Sequence, residues 1–477
     1  MNIEQCTIFD YLYPKYKVNK PIRLIELFAG YGSQYLALKY LNANVKHYKI
    51  CEWAIKSIQA YNDLHIQDYF DYSSDLSDDN VLDILIKLGV SINYNEPATM
   101  GQLKRQNFRK VFNNIIATNN LVNIQNAKGV DFKIIDKDQY EYIMTYSFPC
   151  QDLSLAGKRN GMADTSTRSG MLWEVERILN ELNELDELPQ VLLMENVPQV
   201  HGNDNVEHFN KWQLALEKLG YKNYFQDLIA TDYGVPQTRN RCFMISILGN
   251  YSYSFPKPIP LELKLKDMLE DEVDEKYYLS YKQINDIQKW NTYEKPLEQI
   301  GRDTVTTLTT RSGAYCSNMK LVPIPIKNYE NYIEWEDGKN LQMNNRTYKL
   351  DKCMGTLNTS SERKVLENKV STIGNYSKSQ HSASRIVDKE HMAPTFTENH
   401  GTITAIQTNN LRIRKLTPKE CGRLMNVKDE DIDKLLSNQS NASAYHLFGD
   451  SICTNVLTAI FGELLDIDWR KYLWKVQ

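Results

Sequence analysis

Short, apolar, β-prone runs alternate with helix-patterned stretches through the first half of this chain, and no other feature restricts its fold as much. Ile22-Arg-Leu-Ile-Glu-Leu-Phe28 is β-rich, Ala29-Gly30-Tyr31-Gly32-Ser33 breaks it, and Gln34 to Leu41 has helical apolar spacing. A second strand is predicted over Val45 to Cys51. Further apolar runs at Tyr142 to Phe148, Val191 to Met194 and Cys242 to Leu248 are separated by helical patterns at Met171 to Leu185 and Val206 to Leu219. That alternation predicts an α/β fold with a doubly wound sheet.

At 477 residues the chain exceeds one ordinary core, so two or more domains are expected. Residues 1–20 read as an N-terminal extension and 21–260 as the α/β domain. An insertion at about 63–128, opening with the Asp/Ser-rich stretch Asp68 to Asn80, interrupts the alternation. A Pro-rich exit (Phe255-Pro-Lys-Pro-Ile-Pro260) and an acidic helix (Asp267 to Glu275) lead into 280–410, which is rich in Thr, Ser, Asn and Gly and predicts a smaller, loop-rich β domain. Thr306-Thr-Leu-Thr-Thr310, Gly355-Thr-Leu-Asn-Thr359 and Ala393-Pro-Thr-Phe-Thr397 echo one another there, at spacings too irregular for a solenoid but compatible with similar hairpins. Residues 411–477 return to helix and strand patterning.

Several function classes are excluded. Hydrophobic residues at 42% and charged residues at 24% describe a chain that folds. No apolar run approaches the roughly 20 residues that cross a bilayer, and Met1 to Lys20 lacks a signal-peptide core, so the expectation is a soluble, cytoplasmic protein with no membrane partner. Eight scattered cysteines, with no C-x-x-C pair and no histidine cluster at ligand spacing, predict neither a metal site nor a disulfide framework. The net charge is only −4, but residues 301–424 hold 19 Lys/Arg against 12 Asp/Glu, leaving 37 against 48 elsewhere. That basic stretch is able to face a phosphate backbone; an ordinary solvated surface explains the charge equally well.

Four motifs carry chemistry. In Glu26-Leu-Phe-Ala-Gly-Tyr-Gly-Ser33 a strand ends in a tight glycine turn before a helix, where backbone N–H groups meet a negatively charged ligand group. The third glycine of the dinucleotide fingerprint is missing, which argues against hydride transfer. Glu52 ends the second strand, where a carboxylate accepts from both ribose hydroxyls, and Trp53 beside it is placed to stack on an adenine. Phe148-Pro-Cys150-Gln-Asp-Leu-Ser154 sets a cysteine at the carboxyl end of a strand, after a proline that stiffens the turn, which is nucleophile placement. Met194-Glu195-Asn-Val-Pro198 ends another apolar strand with a carboxyl whose desolvation lets it carry a proton near neutral pH. Gln237-Thr-Arg239-Asn-Arg241 places two arginines at period two, suited to phosphate or carbonyl oxygens. Individually each motif is more often an ordinary turn or a solvated charge.

Together, and in this order, the motifs resemble the DNA cytosine-5 methyltransferase family of bacterial and phage type over nearly the whole chain. Arg414-Lys-Leu-Thr-Pro-Lys-Glu-Cys-Gly-Arg-Leu424 looks like the family motif that buttresses the recognition domain, and Gly449-Asp450-Ser451-Ile452 like its closing cofactor motif, with Asp450 in place of the usual Asn. The resemblance implies a Rossmann-like, S-adenosyl-L-methionine-dependent methyltransferase sheet, completed by 411–477, and a target recognition domain at 280–410. It implies methyl transfer to C5 of a cytosine flipped out of double-stranded DNA, leaving S-adenosyl-L-homocysteine. Cys150 is the implied nucleophile, Glu195 the group on the N3 edge, and Arg239 the contact to the base carbonyl or a neighbouring phosphate, supported by Arg241 and Gln237. Phe28, Gly30, Gly32, Glu52, Trp53, Asp131, Leu172, Asp450 and Ser451 are the implied cofactor residues; Arg302, Arg311, Arg346 and Arg385 are candidate DNA contacts, with a solvated loop arginine the alternative reading of each. No metal is implied. A monomer, nucleoid-associated through DNA, is expected, and a cognate restriction endonuclease is an open partner. An RNA cytosine-5 methyltransferase and a non-catalytic DNA-binding relative are the alternatives.

Overall fold

The computed structural model describes residues 13–149, 169–277 and 416–473, together with the backbone of six short strands between 298 and 415. Six strands, β1 (Ile22–Leu27), β2 (Val45–Cys51), β3 (Glu141–Tyr146), β4 (Val191–Asn196), β5 (Tyr221–Ile229) and β6 (Asn240–Leu248), form one sheet in the order β2-β1-β3-β4-β6-β5. The pairs among β2, β1, β3 and β4 are parallel. Strands β3 and β4 are buried at every position, which is why their sequences run apolar without alternation. At the far edge β6 is antiparallel to both β4 and β5, because residues 230–239 are too few for the crossover helix that a parallel return needs.

Helices cover both faces. In chain order they are α1 (Ser33–Tyr40), α2 (Ile55–Tyr61), α3 (Asp78–Leu88), α4 (Met100–Leu103), α5 (Phe108–Ala117), α6 (Gly129–Phe132), α7 (Leu172–Glu184), α8 (Val206–Lys218), α9 (Pro418–Leu424), α10 (Asp429–Leu436), α11 (Asn441–Asp450) and α12 (Thr454–Leu465). On one side Leu172, Val175, Ile178, Leu179 and Leu182 of α7, with Phe209, Trp212 and Leu216 of α8, pack on Met144, Tyr146, Leu192 and Met194. Burying each such side chain stabilises the fold by about 1.5–3 kcal/mol. On the other side α1 packs against α12, which is buried nearly all round.

The predicted insertion builds a satellite core of its own. Val81, Leu82, Leu85, Leu103, Val111, Phe112 and Ile115 close over Ile55 and Ile58 of α2. Its Asp/Ser-rich opening supplies local caps: Ser77 Oγ accepts from Asn80 N, and the Asp71 carboxylate accepts from Ser73 N. Past α5 the chain returns to the sheet, where Leu121 N donates to Ile50 O at 2.9 Å.

The chain divides into two compact units, one of Met1–Val235, Arg239–Pro260 and Gly422–Gln477, the other of Pro236–Thr238 and Leu261–Cys421. Within the second, strands at Thr372–Asn375, Arg385–Val387, Ala405–Gln407 and Ile413–Lys415 form a four-stranded sheet with a parallel central pair and antiparallel flanks. Glu298–Gln299 pairs with Lys320–Leu321. Thr417 and Glu420 form a reciprocal capping box at the start of α9, and Glu420 also accepts from Glu270 N at 2.9 Å. The three Thr-rich phrases, and Arg302, Arg311 and Arg346, lie outside the described residues. Among the described residues no helix is long and apolar enough to cross a membrane.

Candidate active site

The turn after β1 is wound tightly. Phe28, Gly30 and Gly32 all have positive φ (58, 56 and 81°), and Phe28 N is tied to Cys51 O. Gly32 caps α1, and a Cβ there would lie 2.5 Å from Tyr61 Cε2 and 2.6 Å from His65 Nε2. His65, held neutral by burial, donates from Nε2 to Tyr31 O at 2.8 Å and pins the turn from below. Gly30 differs: a Cβ there meets nothing within 4 Å, so the turn presents an open face at this position, whose positive φ favours glycine.

Glu52 closes one side of that face. Its Oε2 accepts from Gly30 N at 2.8 Å and its Oε1 from Ala54 N at 2.7 Å. Burial pushes the carboxyl up to about 7, opposed by those backbone donors and reinforced by the negative charge of Asp450. Both backbone groups of Glu52 are held by Asn120, whose Oδ1 accepts from Glu52 N and whose Nδ2 donates to Glu52 O. The same Oδ1 accepts from Val122 N, holding Val122 at φ 66°, a conformation that costs a β-branched residue about 1–3 kcal/mol. Asn120 was not legible in the sequence; it belongs to an Asn-rich stretch without periodicity and reaches Glu52 only because the insertion folds back onto β2.

The remaining expected cofactor residues fall in different places. Leu172 is fully buried at the start of α7 and Phe28 packs on the same core. Trp53 is half-buried against the insertion core. Asp131 caps its own short helix, accepting from Lys128 N at 2.9 Å, so this structure engages its carboxylate locally. Asp450 ends α11 near Glu52, with His446 Nδ1 3.1 Å from its carboxylate. Ser451 follows, close to the buried Tyr31 hydroxyl.

The second constellation lies at the carboxyl ends of β3 and β4, where open α/β sheets place ligands. Glu195 is buried, and Arg241 Nε stands 3.1 Å from its Oε1. Burial raises the Glu195 carboxyl above its ordinary range, while the Arg241 and Arg239 charges and the Ser147 hydroxyl pull it down. Arg241 belongs to β6; Arg239 precedes the strand, is buried, and also lies near Tyr31, which brings the glycine turn and the arginine motif together. Asn196 Nδ2 donates to Phe148 O at 3.0 Å, tying the chain two residues before Cys150 to the strand that carries Glu195. Cys150 itself lies outside the described residues.

Comparison with known proteins identifies the family. The profile of the C-5 cytosine-specific DNA methylase family matches residues 104–466. Type II methyltransferase M2.ScrFI of Lactococcus lactis subsp. cremoris is 30% identical over 449 residues, spanning 93% of this chain and 99% of that one. Orphan methyltransferase M.SssI of Spiroplasma monobiae is 36% identical over 287 residues, 58% of this chain and 70% of its own. Among solved structures, the S. pombe Dnmt2 methyltransferase covers 93% of this chain and 98% of its own with a TM-score of 0.52 at 16% identity, a likeness of fold. The chain belongs to the C-5 cytosine-specific DNA methylase family and is a DNA (cytosine-5)-methyltransferase.

Proposed function

We propose that Cys150, Glu195, Arg239 and Arg241 carry this reaction on a cytosine flipped out of double-stranded DNA. Cytosine C5 is a weak nucleophile, so the Cys150 thiolate adds to C6 and leaves an electron-rich C5. Glu195 meets the N3 edge as its proton donor, a role its burial supports because a desolvated carboxyl keeps its proton nearer neutrality. Arg241 orients that carboxyl and Arg239 meets the base carbonyl or a neighbouring phosphate. Bound S-adenosyl-L-methionine supplies the electrophilic methyl group. Loss of the C5 proton to water, with the N3 proton returned to Glu195, then expels Cys150 as thiolate and restores the aromatic ring, now methylated.

The cofactor fits the turn after β1. The open face at Gly30 admits a ligand, Glu52 retains free lone pairs for ribose hydroxyls, and Phe28, Trp53 and Leu172 offer apolar contacts beside it. Asp450 and Ser451 close the site from α11, and Asp131 remains the proposed partner of the adenine amino group. Residues 280–410 are proposed to read the DNA sequence, in a monomer whose partner in a restriction–modification system is a cognate endonuclease.

The observation that supports the assignment is the buried Glu195–Arg241 pair at the carboxyl end of β4, with Asn196 of the same strand bonded to Phe148 O, two residues before Cys150 in sequence. The test is transfer of labelled methyl groups to unmethylated duplex DNA by the wild type and by Cys150→Ala. Label in the wild type alone is expected, and transfer that survives the substitution overturns the nucleophile. Arg239→Leu is expected to lower kcat on duplex DNA with cofactor affinity retained.

A further inference from the structure

The sequence predicts no metal site, because its histidines and cysteines are scattered. Among the described residues, however, His201, Asp227 and Cys242 present one ligand atom each within 4.8 Å of one another. They come from three elements: the 3-10 turn Pro198–His201 that follows β4, β5 and β6. Asp227 and Cys242 are direct partners in the β5–β6 ladder, so their side chains share one face of the sheet. His201 Nε2 reaches Asp227 Oδ1 at 2.8 Å, and the buried Cys242 thiol hydrogen-bonds the same carboxylate. Because neighbours along a strand face opposite ways, Cys242 lies on the reverse side of β6 from Arg241. This cluster therefore lies on the opposite face of the sheet from the Glu195–Arg241 pair, although the Glu195 charge still reaches Cys242, and the methyl-transfer chemistry does not use it.

We propose that His201, Asp227 and Cys242 form a binding site for zinc. A neutral imidazole, a carboxylate and a thiolate are a tetrahedral zinc donor set, with bonds of about 2.0–2.3 Å and water completing the fourth position. The donor atoms need move apart only slightly from the 2.8 Å hydrogen-bond contact to admit the ion. On binding, the metal replaces the thiol proton of Cys242, which passes to water, and the new Zn–S bond removes the cost of a buried thiolate beside Asp227. Entry is open on one side, since the His201 and Asp227 side chains are 30% and 33% exposed. The bound ion cross-links the turn after Glu195 to the hairpin that carries Arg241, from behind.

The experiment is a titration of the chelator-treated, full-length protein with Co2+ as a spectroscopic stand-in for zinc. One equivalent bound is expected, with the intense visible bands of tetrahedral cobalt and a thiolate-to-cobalt charge-transfer band in the near ultraviolet. Both are expected to disappear in His201→Ala and Cys242→Ser and to persist in Cys150→Ser; Asp227→Asn is expected to weaken binding at least tenfold. His201 and Asp227 are partly exposed, so their variants test the site even where the Cys242 variant folds poorly. No charge-transfer band in the wild type, a band that survives His201→Ala, or one lost in Cys150→Ser overturns the proposal and leaves the cluster a hydrogen-bonded strut.

Discussion

Replacing Arg241 by Gln isolates the electrostatics of the Glu195 carboxyl. The guanidinium stands 3.1 Å from Glu195 Oε1, with the two side chains only 16% and 9% exposed. At an effective dielectric constant of about 20, two unit charges at that distance attract by roughly 5 kcal/mol. A carboxylate beside an arginine is typically held down by about 1–3 pK units, or about 1.4–4 kcal/mol. Arg239 also acts on Glu195 and remains, so Arg241→Gln should raise the Glu195 pKa further without freeing the carboxyl of positive charge. If Glu195 works as the proton donor at N3, activity is lost as pH rises through its pKa, and the alkaline limb of the rate profile must move upward in the variant. The assay is the initial rate of labelled methyl transfer to duplex DNA at saturating cofactor, measured across the neutral and alkaline range. A variant that is merely slower, with its alkaline limb where the wild type has it, refutes the reasoning.

Glycine substitutions in the turn after β1 should separate folding from cofactor binding: Gly32→Ala drives a Cβ into Tyr61 and His65 and should lower the melting temperature sharply. Gly30→Ala adds only about 1 kcal/mol of backbone strain but fills the open face, so calorimetry should show cofactor affinity falling with the melting temperature little changed. Asn196→Ala orphans the buried Phe148 carbonyl at a cost of about 1–3 kcal/mol, which should lower kcat about 5–150-fold with little effect on the cofactor KM. Burial pushes Glu26, Glu52 and Glu141 up to about 7, so the stability they lend at low pH is lost as pH rises through that value. His47, pushed down to about 4, destabilises only below its ordinary 6.5, so the melting temperature should fall between pH 6.5 and the alkaline range, and a rise there would contradict the burial argument.

The doubly wound α/β sheet was legible because β1, β3 and β4 are buried on both faces and therefore read as unbroken apolar runs. Glu195 was legible because it ends such a run, and Glu52 because it directly follows the strand after the glycine turn; strand ends are where this architecture exposes polar groups. What escaped were contacts made across long sequence separations. Asn120 reaches Glu52 only through the fold of the insertion, and Asn196 spends its side chain on the backbone just past the end of β3. The direction of β6 was hidden because an antiparallel strand buried on both sides has the same pattern as a parallel one. The His201–Asp227–Cys242 cluster has no spacing signature, since its members meet only after β5 and β6 pair.

The central claim is methyl transfer to cytosine C5 through these residues, and its most direct measurement is bisulfite sequencing of an unmethylated duplex incubated with S-adenosylmethionine and the wild type, Cys150→Ala or Glu195→Gln. Protected cytosines at one recurring sequence with the wild type, none with Cys150→Ala, and far fewer with Glu195→Gln are predicted. Protection that persists in Cys150→Ala, or label that enters tRNA and never the duplex, would contradict it.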